Sequence, residues 1–137
     1  MRTVEASDRL PSMGHTIIRP EQREFQPLER GDRTRAIVRL SDALGNSRAN
    51  LWRLPPGAGN ARHLEHVQEE LFVVLEGEAT LLLGEPPERA TLPRGSIAIV
   101  EPGTPLKLRN EGAEVAIVLA FGAPPEAGKA EYLPEIE

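Results

Sequence analysis

Residues 57–77, GAGNARHLEHVQEELFVVLEG, decide how the rest of the chain is read. The stretch carries two of the three histidines, His63 and His66, among four carboxylates, Glu65, Glu69, Glu70 and Glu76. Directly after Glu70 comes an unbroken apolar run, Leu71-Phe72-Val73-Val74-Leu75, closed by Glu76-Gly77. A short run of β-branched and aromatic residues that ends on a turn glycine predicts a buried strand. Potential metal ligands therefore stand at the mouth of a strand that belongs in the core.

Downstream, residues 79–83 predict a strand that pairs back on 71–75 through the tight Glu76-Gly77-Glu78 turn. Gly84 to Pro87 turns the chain, 91–92 is short, and Pro93-Arg94-Gly95 leads into a strand over 96–100. Pro102-Gly103-Thr104-Pro105 turns it again, 106–109 alternates, 110–112 turns, and 115–121 is the last strong strand. Upstream, 36–40 alternates, with Ala36, Val38 and Leu40 on one face and Ile37 and Arg39 on the other. A hairpin-type loop over 41–47 returns the chain as a strand at 51–54, which breaks at Pro55-Pro56-Gly57. Residues 1–15 read as polar and loose, 16–18 as a short strand stopped by Pro20, and 21–28 as a helical turn or two limited by Pro27. Beyond Pro124 lies a polar tail with one apolar patch, Tyr132-Leu133. Strands at this spacing, divided by Gly, Pro and Asn, predict an all-β sandwich or barrel. The expected division is an N-terminal arm over 1–30, a barrel over 31–123 and a tail over 124–137. No window of helical length has an apolar stripe, and no solenoid repeat is visible.

At 137 residues the chain is expected to form one domain with a real core. Its 13 prolines and 12 glycines make about 18 per cent of the chain, below the roughly 25–30 per cent of low-complexity sequence. The net charge of −5 and the scattered arginines argue against nucleic acid or anionic membranes as partners. Cysteine is absent, which excludes disulfides, thiolate metal sites and cysteine nucleophiles. The first fifteen residues lack a signal-peptide core, and the longest apolar run, 115–121, is too short to span a bilayer. A cytoplasmic protein is the expectation. No nucleophile elbow, P-loop or dinucleotide fingerprint appears, and the serines at 7, 12, 41, 47 and 96 have no histidine near in sequence.

Two segments together resemble the cupin superfamily. The first cupin motif runs glycine, five residues, histidine, one residue, histidine, three or four residues, glutamate, six residues, glycine. Gly57, His63, Glu70 and Gly77 fall at those distances, with Glu65 at the second histidine position. The second motif runs glycine, five residues, proline, one residue, glycine, two residues, histidine, three residues, asparagine. Gly95, Gly103 and Asn110 fit it, with Glu101 at the proline position and Leu106 at the histidine position. Motifs and intervening strands cover about 34–121, and the resemblance implies a jelly-roll barrel, the double-stranded β-helix, with one open end. It does not choose a function, since cupins include dioxygenases, isomerases, decarboxylases, storage proteins and ligand-sensing domains.

The resemblance implies a metal site built from the first motif and one residue of the second. On a strand, residues two apart face the same way, so His63 and Glu65 keep a common direction and Glu70 opens the next strand toward them. Leu106 donates nothing, which leaves His63, Glu65 and Glu70 as the expected ligands. One divalent ion, manganese, iron, nickel or zinc, is the expected cofactor. His66 has the opposite parity and joins only if a bulge turns it inward, giving the alternative set His63, His66 and Glu70. The competing structural reading makes both histidines rim residues bonded to Glu65 or Glu69, and pairs Glu70 with Arg62 or Arg53. Trp52, Phe72, Leu106 and Glu101 are the expected ligand-pocket residues. The functional expectation is a small-molecule-binding homodimer with a degenerate metal site. The alternative is a metal-dependent dioxygenase or isomerase.

Overall fold

Turn residues and short apolar runs build the molecule, with no helix longer than a single 3-10 turn among the described residues. The computed structural model describes residues 14–125 and 129–136. Most of the segment expected to be loose, residues 1–15, therefore lies outside the described residues. Eleven strands are formed among the described residues: β1 Gln26–Pro27, β2 Ala36–Val38, β3 Arg48–Leu54, β4 His63–Leu64, β5 Glu69–Glu76, β6 Ala79–Leu83, β7 Glu88–Leu92, β8 Ile97–Val100, β9 Leu106–Arg109, β10 Ala116–Ala123 and β11 Glu131–Tyr132. They form a six-stranded sheet, β1-β2-β3-β10-β5-β8, and a five-stranded sheet, β11-β4-β9-β6-β7, antiparallel throughout. The all-β jelly roll expected from the sequence is the fold.

The core lies between the sheets because the strands alternate. In the larger sheet Leu54, Phe72, Val74, Val100, Ala116 and Val118 face inward, and in the smaller one Leu81, Leu106 and Leu108 meet them. The outer face of the larger sheet is apolar as well, which is why 71–75 reads as an unbroken run. There Val38, Leu51 and Ile117 form a second cluster roofed by Phe25 and Leu40. Asn110 is wholly buried and holds the chain crossing: its side-chain amide donates to the Leu54 and Glu114 carbonyls, and its Oδ1 accepts the Gly112 N–H.

Several expectations need correction. β5 and β6 do not form a hairpin: β5 pairs with β10 and β8, and β6 with β7 and β9 in the other sheet. Gly77 marks the crossing, at φ 71°, and a Cβ there would come within 2.4 Å of the Val115 carbonyl oxygen. Residues 16–18 are not a strand, because Pro20–Gln22 takes a 3-10 turn and β1 begins only at Gln26. The 41–47 loop starts as a 3-10 turn at Leu40–Ala43. The C-terminal patch is anchored: β11 pairs with β4, and Glu135 accepts the Arg62 backbone N–H at 3.0 Å and bonds the Lys107 ammonium. No helix among the described residues is long and apolar enough to cross a membrane.

Candidate metal centre and cavity

The two-residue strand β4 brings His63 to the inner face beside Leu106, its register partner on β9. Glu70 comes from the start of β5, and Glu65 from the short link between β4 and β5. The three ligand atoms converge within 4.8 Å of one another. His63 Nε2 stands 3.7 Å from Glu65 Oε2 and 3.8 Å from Glu70 Oε1. Ligands sharing a metal at roughly 2.0–2.2 Å lie about 3–3.5 Å apart, so an ion requires these groups to draw in by a fraction of an ångström to about an ångström.

The imidazole is oriented for that role. Its Nδ1 faces the Ala61 carbonyl at 3.0 Å, and a carbonyl only accepts, so the proton resides on Nδ1. The neutral ring then turns the Nε2 lone pair toward the carboxylates, the tautomer a backbone carbonyl commonly fixes in metal-binding histidines. Burial pushes the ring toward the neutral form, but Glu70, the Ala61 carbonyl and the Glu65 charge outweigh it and hold the pKa above its ordinary 6.5. Glu70 Oε1 is buried without a hydrogen-bond partner. A carboxylate oxygen in that state carries a desolvation cost that a cation removes. Donor chemistry and the bare Glu70 oxygen therefore fit a divalent ion.

These groups line a cavity of about 120 Å³ that opens at one end of the barrel. Trp52, Phe72 and Leu106 line it, so three of the four expected pocket residues meet there. Leu106 is 2% exposed and lines the cavity as the register partner of His63. Glu101 is not part of the lining. Its neighbour Val100 pairs with Glu70 and takes the inward direction, so the next residue turns out to solvent. His66 is also outside the group. No bulge turns it in: the chain bends after Glu65, and His66 Nε2 meets Glu131 at 2.9 Å on the surface. Arg62, one of the arginines a structural pairing of Glu70 would use, is committed to Glu85 and the Pro134 carbonyl.

The cavity also takes residues that sequence reading passed over, among them Arg48, Asn50, Gln68 and Gly122. β3 begins at Arg48, three residues before the strand expected at 51–54, because Asn46-Ser47-Arg48-Ala49-Asn50 looks like loop. The available signal is parity: Arg48, Asn50 and Trp52 alternate with Ala49 and Leu51.

Known structures share this architecture. A sugar phosphate isomerase from a cupin superfamily of Silicibacter pomeroyi is 24% identical, with 80% of this chain and 76% of that one covered and a TM-score of 0.68. An uncharacterized protein with a double-stranded β-helix domain from Klebsiella pneumoniae is 26% identical over 86% of this chain and 91% of that one, TM-score 0.62. The polyketide cyclase RemF from Streptomyces resistomycificus is 14% identical over 90% and 88%, TM-score 0.74. No curated protein matches the chain. The family model described as a cupin domain matches residues 50–122, from within β3 to one residue short of the end of β10, and on that match the chain belongs to the cupin superfamily.

Proposed function

We propose that this cupin binds one divalent cation through His63, Glu65 and Glu70 and takes a small molecule beside it in the barrel, against Trp52, Phe72 and Leu106. The observation that carries the reading is the convergence of the three ligand atoms within 4.8 Å, with the His63 tautomer already set by Ala61. One imidazole and two carboxylates make a hard donor set, suited to manganese ahead of nickel, zinc or iron. When bound, the ion supplies Lewis acidity to an oxygen of the ligand. The set differs from the two-histidine, one-carboxylate triad of non-haem iron oxygenases, and with His66 outside it the binding reading is favoured over a dioxygenase.

Calorimetric titration of the metal-stripped protein with manganese, iron(II), nickel and zinc tests the reading. One saturable site, lost in both His63→Ala and Glu70→Gln, is expected. Binding that survives both substitutions, or no binding at all, overturns it.

A homodimer is part of the same proposal. The outer face of the larger sheet exposes Ile97 by 64%, Ile99 by 71% and Phe121 by 40%. Register places Ile99, Leu71 and Phe121 in one cross-strand row. A contiguous apolar face of this kind favours a second copy of the chain. Sedimentation equilibrium giving a 15.0 kDa particle contradicts it.

A further inference from the structure

One cross-strand row of the larger sheet puts a positive charge across the cavity from the carboxylates. Arg48 on β3 pairs with Gly122 on β10, and Gly122 pairs with Glu70 on β5. Members of a row face the same side, so Arg48 and Glu70 both point into the barrel, two strand spacings or about 9–10 Å apart at the backbone. The residue between them has no side chain. Gln68 lies over it instead: a Cβ on Gly122 would come within 2.4 Å of Gln68 Oε1. Gln68 is 4% exposed, and its Nε2 donates to the Pro124 carbonyl at 2.9 Å. A buried and tethered amide thus stands between the two charges and keeps Arg48 off Glu70.

Arg48 is half-buried, lines the cavity, and has no hydrogen bond or ion pair among the described residues. The arginines nearest the site differ in this respect. Arg35 bonds Asn60 and stacks 5.3 Å over Trp52, and Arg62 is held by Glu85. Asn50, two residues along β3, also faces the cavity with its side chain unbonded among the described residues. An arginine without partners is most often a solvated surface group. Here inward parity, the adjacent free amide and the spacing enforced by Gln68 set Arg48 apart.

Charge gives the ligand class. With a divalent ion in place, Glu65 and Glu70 are neutralised and His63 is neutral, so the guanidinium is the uncompensated charge of the cavity. Guanidinium presents a planar fork of N–H donors that matches two oxygens of a carboxylate or phosphate. We propose that the small molecule taken by this cavity carries an oxyanion, a carboxylate or phosphate group, bound by Arg48 with Asn50 donating a further hydrogen bond. The ligand's other end then extends past Phe72 and Trp52 toward the His63 group. The inference rests on the metal and small-molecule reading above and adds the ligand's charge.

The test is calorimetry on the manganese-loaded 137-residue protein with three probes: lactate, inorganic phosphate and neutral propane-1,2-diol. Saturable binding of lactate or phosphate is expected, with the diol far weaker, and the tighter of the two anions identifies the group. Arg48→Gln should weaken anion binding by about ten- to a hundredfold, the effect of losing a charged hydrogen-bonding partner. Arg48→Lys should restore part of it, since charge returns without the fork. Manganese should bind Arg48→Gln at least as tightly as wild type, because a positive charge has left the cavity. Anion binding unchanged in Arg48→Gln, diol binding equal to lactate, or no anion binding to wild type overturns the inference. If manganese itself does not bind, the metal reading has failed, and the same Arg48-dependent difference is read on the metal-free protein.

Discussion

The two ends of the larger sheet are built from the same strands and do opposite things. At the closed end the inward rows are Leu54 beside Ala116, and Val118 beside Val74, with Trp52 at the end of that second row lining the cavity. Leu54, Ala116 and Val118 there have no exposed surface, and Val74 has 1%. At the open end, the rows are Arg48, Gly122 and Glu70, then Asn50, Ala120 and Phe72. A change of two to four residues along a strand turns close packing into a polar cavity. On β10 the change is made by shrinking side chains: Val118 fills its row, Ala120 half fills it, and Gly122 leaves it open to Gln68. The closed end supplies rigidity, and the open end spends buried polar groups that are tolerable only because the frame beneath them does not move.

The contrast predicts unequal responses to substitution. Leu54→Ala strikes the filled end and should cost about 2–5 kcal/mol, because the surrounding side chains cannot collapse into the space. Urea unfolding measures it, and a loss near zero would mean that the closed end is not the rigid part. Leu106→His acts at the open end, where it adds an imidazole next to His63 in the register. Changes even in groups behind the ligands alter metal affinity by roughly 10–100-fold, so a regained ligand should tighten binding by at least about tenfold. Its stability cost should be smaller than that of Leu54→Ala, since Glu70 or water satisfies the ring. Titration of the metal-stripped variant decides this, and the gain should vanish in the double variant with His63→Ala. A folded variant that binds no better than wild type would show that Leu106 does not complete the centre.

The smallest expected effect lies at the margin of the smaller sheet, where the chain end is pinned. Burial raises the Glu135 pKa, but the Lys107 ammonium and the Arg62 N–H outweigh it and hold the carboxyl below its ordinary 4.5. A depressed folded value means that the stabilisation is present above the ordinary pKa and is lost as pH falls through the folded one. The contribution is a few tenths of a kcal/mol at most, because Glu135 is more than half exposed. The Leu133 amide, bonded to the Arg62 carbonyl at 3.0 Å, should report it. Its NMR shift should move as pH falls below the ordinary carboxyl value of 4.5 in wild type and stay fixed in Glu135→Gln.

Much of the architecture is legible without coordinates, for local reasons. Alternation and turn residues locate β8, β9 and β10 to within two residues, because strand formation depends on neighbours two apart and on the glycines and prolines between runs. The spacing of Gly57, His63, Glu70 and Gly77 picks out the group that converges at the open end. Pairing is a different matter. Whether β6 returns on β5 or crosses to the other sheet depends on what meets Gly77, and that is the Val115 carbonyl, nearly forty residues away in the chain. Parity already points Glu65 to the His63 side and His66 away from it, as the structure has them, although Glu65 stands past the end of β4; what parity cannot supply is the pairing of distant strands. The same limit hid Arg48. Its sequence neighbours are polar and loop-like, and only the ladder with β10 makes it a strand residue facing a glycine. Residue types and their spacing fixed the strands and the metal-binding candidates, because both depend on short stretches of chain. Which strands pair, and which charge faces which, rest on contacts between distant segments, and those exist only once the two sheets have closed on each other.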